Sequence, residues 1–181
     1  MNSKNGHNRR VLTNGFASFG KAISKYVEDS LTDAAAELLM AVSRNRTFVG
    51  FTGNTQTSYA CGVYVNGTCR HIIFQRNWMQ PPVRMKIRYG ELVFLSNPYE
   101  GEARAVRGGV DLNAEFGQET SVRFLMAHKC PKDGWGLVVT TGTEYSEFLE
   151  TIYGYDVLTA TGDEAYALIS NSFKPMPSEW Q

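Results

Sequence analysis

Three glutamates, Glu144, Glu147 and Glu150, form the best candidate for chemistry in this sequence of 181 residues. Their spacing of three places the carboxylates along one side of a helical turn. Like charges that lie so close can raise the pKa of one carboxyl group and create an acid–base pair. The same pattern is also typical of a solvated acidic face beside the apolar Phe148 and Ile152, and we favour this second interpretation.

The other chemical motifs of the sequence are incomplete. His128 and Cys130 stand two residues apart, but no CxxC, HExxH or second ligand cluster accompanies them, so no metal site is predicted. Gly108-Gly109 lacks the rest of a phosphate-binding loop, and no GxSxG elbow marks a nucleophile. We therefore predict no catalytic centre and no cofactor, and expect a protein that is not an enzyme.

Charge is distributed unevenly along the chain, although Lys+Arg and Asp+Glu are equal at 18 each. Residues 1–90 contain 12 basic and 4 acidic side chains, whereas residues 91–181 contain 6 and 14. The formal balances of the two halves are thus +8 and −8. Such a split can place opposite potentials on two faces of one molecule, so that copies attract each other. It vanishes if the two halves intermingle in the fold.

The sequence gives no indication of a membrane partner. No apolar run approaches the roughly 18 residues that a spanning helix needs, and the polar N-terminus does not have the pattern of a cleaved signal. Cys61, Cys69 and Cys130 cannot all pair within one chain, which suits a reducing compartment.

The strongest predicted element is a long amphipathic helix over residues 18–43. Its apolar residues recur at spacings of three and four, and most of its charged residues fall on the other side. We expect Ile23, Leu31 and Leu38 to face the core. The preceding residues 1–15 are rich in Asn, Gly and basic side chains, and they are predicted to form a flexible arm.

A hairpin is predicted next, with Asn66-Gly67 at its tip, because Asn-Gly favours a type I′ turn between two strand-like runs. The register then places Tyr64 opposite Cys69 and Cys61 opposite Ile72. Because side chains alternate between faces along a strand, the two cysteines should lie on opposite faces and should not form a disulfide.

The remainder of the chain completes an antiparallel sheet. Residues 83–88 alternate apolar and basic side chains, as in a half-buried strand with a basic outer face, and residues 135–141 also form a predicted strand. Residues 97–120 are predicted to be an irregular insertion, whereas residues 122–127 fit either a strand or a short helix.

Two short helices are predicted to close the chain. The first follows Gly142, and the second begins at Thr161, where Glu164 completes a capping-box pattern. Together these elements predict a single α+β domain over residues 16–181, in which the long N-terminal helix packs on an antiparallel sheet.

Three segments in this order resemble a known family. After the long helix, Thr52-Gly-Asn-Thr-Gln-Thr-Ser58 leads into a strand, and Thr143-Glu-Tyr-Ser-Glu-Phe-Leu-Glu150 follows much later. The arrangement resembles the head–tail connector, or tail-completion, proteins of long-tailed bacteriophages. In that family a TG-x-L-x-x-S segment opens the sheet. Here Thr55 stands where an apolar residue is usual.

The resemblance implies a structural virion protein located in the phage neck, assembled in the host cytoplasm. Copies of the chain would form a ring between the portal or its adaptor and the tail proteins. DNA would pass through the lumen of the ring without sequence recognition. We expect contacts with partners or other subunits at Arg9, Arg10, Arg84, Lys86, Arg88, Glu144, Glu147, Glu150 and Trp180.

Two alternatives from other functional classes remain open. One is a small cytosolic hydrolase that uses the three glutamates, which would require polar groups converging on a concave site. The other is a monomeric binding module, which would expose one large apolar patch.

Overall fold

The computed structural model describes residues 3–46, 54–75, 92–96, 103–107, 117–143, 151, 154 and 156–176. The helices are α1 (Ser3–Asn45), α2 (Asn54–Ser58), α3 (Gly117–Ala127) and α4 (Val157–Ser172). The strands are β1 (Ala60–Val65), β2 (Thr68–Phe74), β3 (Leu92–Ser96), β4 (Ala103–Arg107) and β5 (Trp135–Thr140). The fold is therefore α+β, as the sequence predicts.

The main sheet has three antiparallel strands in the order β2–β1–β5, while β3 and β4 form a separate two-stranded ladder. The central strand β1 is buried along its whole length, because helices cover both faces of the sheet. Cys61 and Val63 point toward α1. The ring of Tyr64 points toward α3, where its hydroxyl donates a hydrogen bond to Leu125 O.

The hydrophobic core lies between the sheet and the C-terminal half of α1. Leu31 and Leu38 are buried there, which confirms their predicted orientation. They pack with Val63 of the sheet and Val157 of α4. Ile23 differs from the prediction, since it is only half-buried and lies outside the core cluster.

Helix α1 begins much earlier than the sequence predicts. It extends from Ser3 to Asn45, so most of the predicted arm of residues 1–15 is helical. The composition of this segment concealed the helix, since Asn and Gly have low helix propensity. The predicted C-terminal end near residue 43 agrees with the structure to within two residues.

The hairpin and its Asn66-Gly67 turn are confirmed. Both turn residues have positive φ, 50° for Asn66 and 76° for Gly67. Tyr64 faces Cys69 as predicted, but the register shifts beyond that pair and Cys61 faces Ile73. The prediction of Ile72 was wrong because a β-bulge adds one residue to β2, which sequence spacing alone does not reveal.

Part of the predicted insertion at residues 97–120 has regular structure. Strand β4 lies inside it and pairs with β3, and α3 begins at Gly117 near its end. Residues 122–127, for which the sequence left two possibilities, are helical. The turn-forming residues on either side obscured the short strand, whose five residues are near the lower limit for a recognisable pattern.

Helix α4 contains 16 residues, begins at Val157 and ends before Pro175. The predicted capping box is wrong, because Thr161 lies inside the helix and donates a hydrogen bond to Val157 O over 2.6 Å. The other predicted C-terminal helix includes Thr143, which is not helical, and Thr151, which is; its remaining residues lie outside the described ones.

Candidate interaction surface

Helix α1 is divided into a packed and an unpacked part. From Ser30 to Val42 its inward positions are buried against the sheet and α4, whereas residues 6–20 are all exposed. A straight helix of 43 residues is about 65 Å long, which exceeds the span of a small sheet. The N-terminal part of α1 therefore extends beyond the packed core.

Helix α4 sets the boundary between the two parts. It runs antiparallel to α1: the side chain of Asn45 lies 3.3 Å from the Thr161 hydroxyl at one end, and the Tyr26 hydroxyl donates to Lys174 O at the other. The rings of Tyr26 and Phe173 also meet edge to face, with centroids 6.2 Å apart. Because α4 ends there, it does not cover the part of α1 before Tyr26.

Large apolar side chains occupy the part of α1 that α4 does not cover. Phe16 is 74% exposed, Leu12 62%, Val11 55% and Phe19 47%. Hydrophobic residues scattered singly on a surface are ordinary, but four within nine positions of one helix form a continuous apolar stretch. We call residues 6–23 of α1 the projecting segment.

The projecting segment is also poorly stabilised by its own sequence. It contains Gly6, Gly15 and Gly20, each of which costs a helix about 1 kcal/mol relative to Ala. A Cβ atom at any of these glycines would meet nothing within 4 Å, so packing does not require them. Since helices gain most of their stability from tertiary packing, a partner on the apolar side would stabilise this segment.

The charge on and around this segment has one sign. Lys4, Arg9, Arg10, Lys21 and Lys25 precede the first acidic residue of the chain, Glu28. Of the predicted contact residues, Arg9 and Arg10 lie here, on exposed turns of α1. The segment therefore has an apolar stripe, and the charged side chains on and next to it are all basic.

The other predicted contact residues lie outside the described residues. These residues are Arg84, Lys86, Arg88, Glu144, Glu147, Glu150 and Trp180.

A buried polar cluster fixes the entry to β1. Helix α2 is buried at all five positions although its residues are polar. Asn54 Oδ1 accepts a hydrogen bond of 2.8 Å from Gly117 N, and the Ser121 hydroxyl donates one of 2.5 Å to Ser58 O. Ser58 Oγ also lies 2.7 Å from Thr141 Oγ1. These bonds join hydroxyl, amide and backbone groups, and they serve to hold α2, α3 and β5 together.

Close backbone approach completes this cluster. A Cβ atom on Gly142 would lie only 1.9 Å from Gly117 O, so no side chain fits there. Residues 54–58 thus form a tightly packed joint directly before β1. The preceding Thr52 and Gly53 lie outside the described residues.

Three side chains in the sheet, Cys61, Tyr64 and Cys69, have raised pKa values, which disfavours nucleophilic chemistry there. Burial raises the pKa of Cys61 and that of Tyr64, each to about 12. Desolvation also raises the pKa of Cys69. A thiol is reactive as its thiolate, so Cys61 and Cys69 are poor nucleophiles at neutral pH. The Tyr64 hydroxyl instead donates a structural hydrogen bond of 2.6 Å to Leu125 O.

A shallow groove of about 210 Å³ lies between α1 and the end of β2. It is lined by Ala36, Leu39, Met40, Ser43, Ile73, Phe74 and Gln75, none of which is titratable. Such a lining can support contact with an apolar group, but it supplies no acid and no base that would activate the hydroxyl of Ser43. In the part of the chain that the structure describes, no group of three or more His, Cys, Asp or Glu side chains could hold a metal ion.

The described helices also include none that is long and apolar enough to cross a membrane. The long α1 does not meet this condition, because its apolar runs, such as residues 38–42, are short and lie between polar and charged residues.

Sequence reasoning missed the exposure of the projecting segment. Phe16 and Phe19 belong to the periodic pattern that predicted the core helix, yet they lie outside the core. One signal was present in the spacing: Leu12, Phe16, Phe19, Ile23 and Tyr26 alternate steps of four and three. That repeat is typical of a narrow helix–helix seam rather than the broader face of a helix on a sheet.

Comparisons of the chain with protein-family models, with curated proteins and with solved structures find no match.

Proposed function

We propose that the chain is a structural subunit that acts by assembly, as a ring-forming component of the neck of a long-tailed bacteriophage. The observation that carries the assembly role is the projecting segment, whose apolar side chains extend beyond the core. A monomeric binding module would expose the same kind of stripe, and the number of copies in the particle distinguishes the two. An exposed apolar stripe on a helix is a common feature of surfaces that bind another protein.

The assignment to a phage neck is supported by the sequence resemblance. The long N-terminal helix and residues 54–58, directly before the first strand, are parts of the chain that carry this resemblance. In this role copies of the chain join the portal or its adaptor to the tail proteins in the virion. The reaction chemistry of an enzyme is not required.

The basic charge of the projecting segment is the second support for assembly, because elsewhere the two halves of the chain intermingle through the β1–β5 pairing and the Arg44–Glu164 ion pair. The basic residues of the projecting segment can meet acidic residues of the second half of the chain in a neighbouring copy. Each exposed charge pair contributes only about 0–1 kcal/mol, so apolar contacts must supply most of the affinity. An acidic lumen would repel the phosphates of DNA and let it pass without binding.

Native mass spectrometry and electron microscopy of the purified chain test this proposal, alone and mixed with portal, adaptor and tail proteins. We expect a ring of several copies that weakens at high salt, because salt screens the charge pairs. The paired substitution Arg9→Glu, Arg10→Glu should weaken the ring, whereas Lys129→Glu, Lys132→Glu on an exposed loop serves as a charge-matched control. A strict monomer that enters no particle under any of these conditions would contradict the proposal, and the three glutamates would then merit an activity screen.

A further inference from the structure

The projecting segment presents a small apolar surface with a basic residue beside it. Arg9, Leu12 and Phe16 recur at steps of three and four, so they lie on one side of α1. Phe16 is 74% exposed and Leu12 62%, and the arginine is exposed on the turn before them. We call these three residues the α1 knob. Its side chains fit an apolar counterpart that has acidic residues at one end.

A counterpart of that kind lies near the other end of the helix. The groove of about 210 Å³ has walls that include Ala36 and Met40 of α1 and Phe74 of β2. Met40 is 56% exposed although its side chain is large and apolar. Because methionine is unbranched and flexible, it can adapt to an aromatic ring that enters the groove. We call this surface the α1–β2 groove.

Charge gives an occupant of the groove a direction. Asp33 and Glu37 are exposed on the turns of α1 at one end of the groove. Asp33 meets Lys174 over 3.6 Å, yet its side chain is 62% exposed and remains accessible to another cation. The basic Arg44 and Arg46 follow at the opposite end. An occupant whose basic residue precedes its apolar ones therefore fits with that residue toward Asp33, and this is the order of residues in the α1 knob.

The knob and the groove of one chain cannot meet. Phe16 and Met40 are 24 positions apart on one continuous helix, so about 36 Å separates them along its axis. Since a continuous helix does not fold back on itself, the groove of each copy can receive only the knob of a different copy. Such a contact joins two unlike surfaces, and a row of copies closes into a ring when the last knob enters the first groove.

We propose that the α1 knob of each copy inserts into the α1–β2 groove of the next copy around the ring. Phe16 packs beside Met40, and Arg9 lies toward Asp33. The apolar side chains supply most of the affinity, while the arginine sets the direction. The inference rests on the ring of the proposed function and assigns the two surfaces that join neighbouring copies.

Mixing two variants that each lack one of these surfaces tests the contact. Phe16→Asp destroys the knob and Met40→Asp destroys the groove, and both positions are exposed, so the fold should be retained. In sedimentation velocity each variant alone should be monomeric at concentrations at which the native chain assembles. An equimolar mixture should form a 1:1 dimer and nothing larger, because one intact knob and one intact groove remain. Met126→Asp makes the matched change at a 66% exposed position of α3 and should leave the ring intact.

Two kinds of result would overturn the contact. One is a ring formed by either variant alone, and the other is a mixture of the two that stays monomeric. A native chain that is monomeric and binds anionic vesicles or DNA through Phe16 would overturn it as well.

Oxidative cross-linking identifies the two surfaces in a chain that still assembles, in a background with Cys69→Ser and Cys130→Ser. Chains with Leu12→Cys and chains with Ala36→Cys are mixed and treated with a mild oxidant, and they should form a mixed disulfide. Neither kind should cross-link to itself, because a knob meets a groove and not a second knob. Efficient cross-linking of Leu12→Cys chains to each other would show a symmetric pair and contradict the proposal.

The two proposals fail separately in these experiments. Ring particles that persist in both Phe16→Asp and Met40→Asp would reject the knob–groove contact but support the assembly role. A mixture that forms the 1:1 dimer, from a native chain that joins no particle with portal, adaptor or tail proteins, would reject the neck role and leave the contact in place.

Discussion

The two ends of helix α1 have similar patterns in the sequence, but in the fold one end is buried and the other is exposed. Near the C-terminal end Leu31, Leu38 and Val42 are buried against the sheet, whereas near the other end Phe16 and Phe19 are exposed. Both sets recur at spacings of three and four. A periodic stripe therefore establishes that a helix has an apolar side, but the length of the sheet and of α4 decides how much of that side is covered.

Thiol labelling gives the most direct test of whether the two ends of α1 differ in packing. Cys61 lies in the core under the packed end of α1, and in the native chain it should react at least about 1000-fold more slowly than in denaturant, because it must wait for an opening of several kcal/mol. Burial also raises the pKa of this thiol to about 12. The native thiol therefore stays mostly protonated even at pH 9, and at that pH it should still react far more slowly than the thiol of the denatured chain.

The control for this experiment is a chain that lacks the first 20 residues, with Cys69→Ser and Cys130→Ser in both chains compared. Because residues 6–20 are exposed, their removal should leave the protection of Cys61 unchanged. If the truncated chain reacted as fast as the denatured one, the projecting segment would be part of the cooperative fold and the comparison would be wrong.

A pair of leucine substitutions measures the same difference as a change in the free energy of unfolding. Leu38→Ala should reduce the free energy of unfolding by about 2–5 kcal/mol, because Leu38 is 2% exposed and its loss leaves a cavity. Leu12→Ala makes the same chemical change in the exposed part and should cost no more than about 0.5 kcal/mol in a monomer. Urea unfolding at a concentration that keeps the chain monomeric measures both. Equal losses at the two positions would contradict the division of α1.

The elements that the sequence predicts well are those with strong local signals. The Asn66-Gly67 turn needs positive φ at both residues, and the chain supplies the two residue types that tolerate it. Leu31 and Leu38 lie on a helix whose Ala-rich middle favours helix strongly. In each case the residues themselves determine the local structure.

The features that could not be predicted depend on distant parts of the chain. Because of the bulge in β2, the cross-strand partner of Cys61 is Ile73 and not Ile72. Nothing in the spacing of apolar and polar residues along the strand indicates the bulge. The polar α2 is buried because Gly117 and Gly142 allow the backbones to approach closely, and those glycines lie far from it in the sequence. The exposure of the projecting segment likewise depends on where α4 ends.

The smallest effect is expected at the boundary between the packed and projecting parts. Tyr26→Phe removes the hydrogen bond from the Tyr26 hydroxyl to Lys174 O and keeps the ring that meets Phe173. An accessible hydrogen bond of this kind contributes about 0.5–1 kcal/mol, so global stability should fall by no more than that amount. Hydrogen exchange should accelerate mainly in the last turn of α4, because that turn loses its attachment to α1. Tyr166→Phe, at an 85% exposed position of α4, is the matched control and should change neither quantity. A loss comparable to that of Leu38→Ala would instead place Tyr26 inside the core, and α4 would then not mark the boundary.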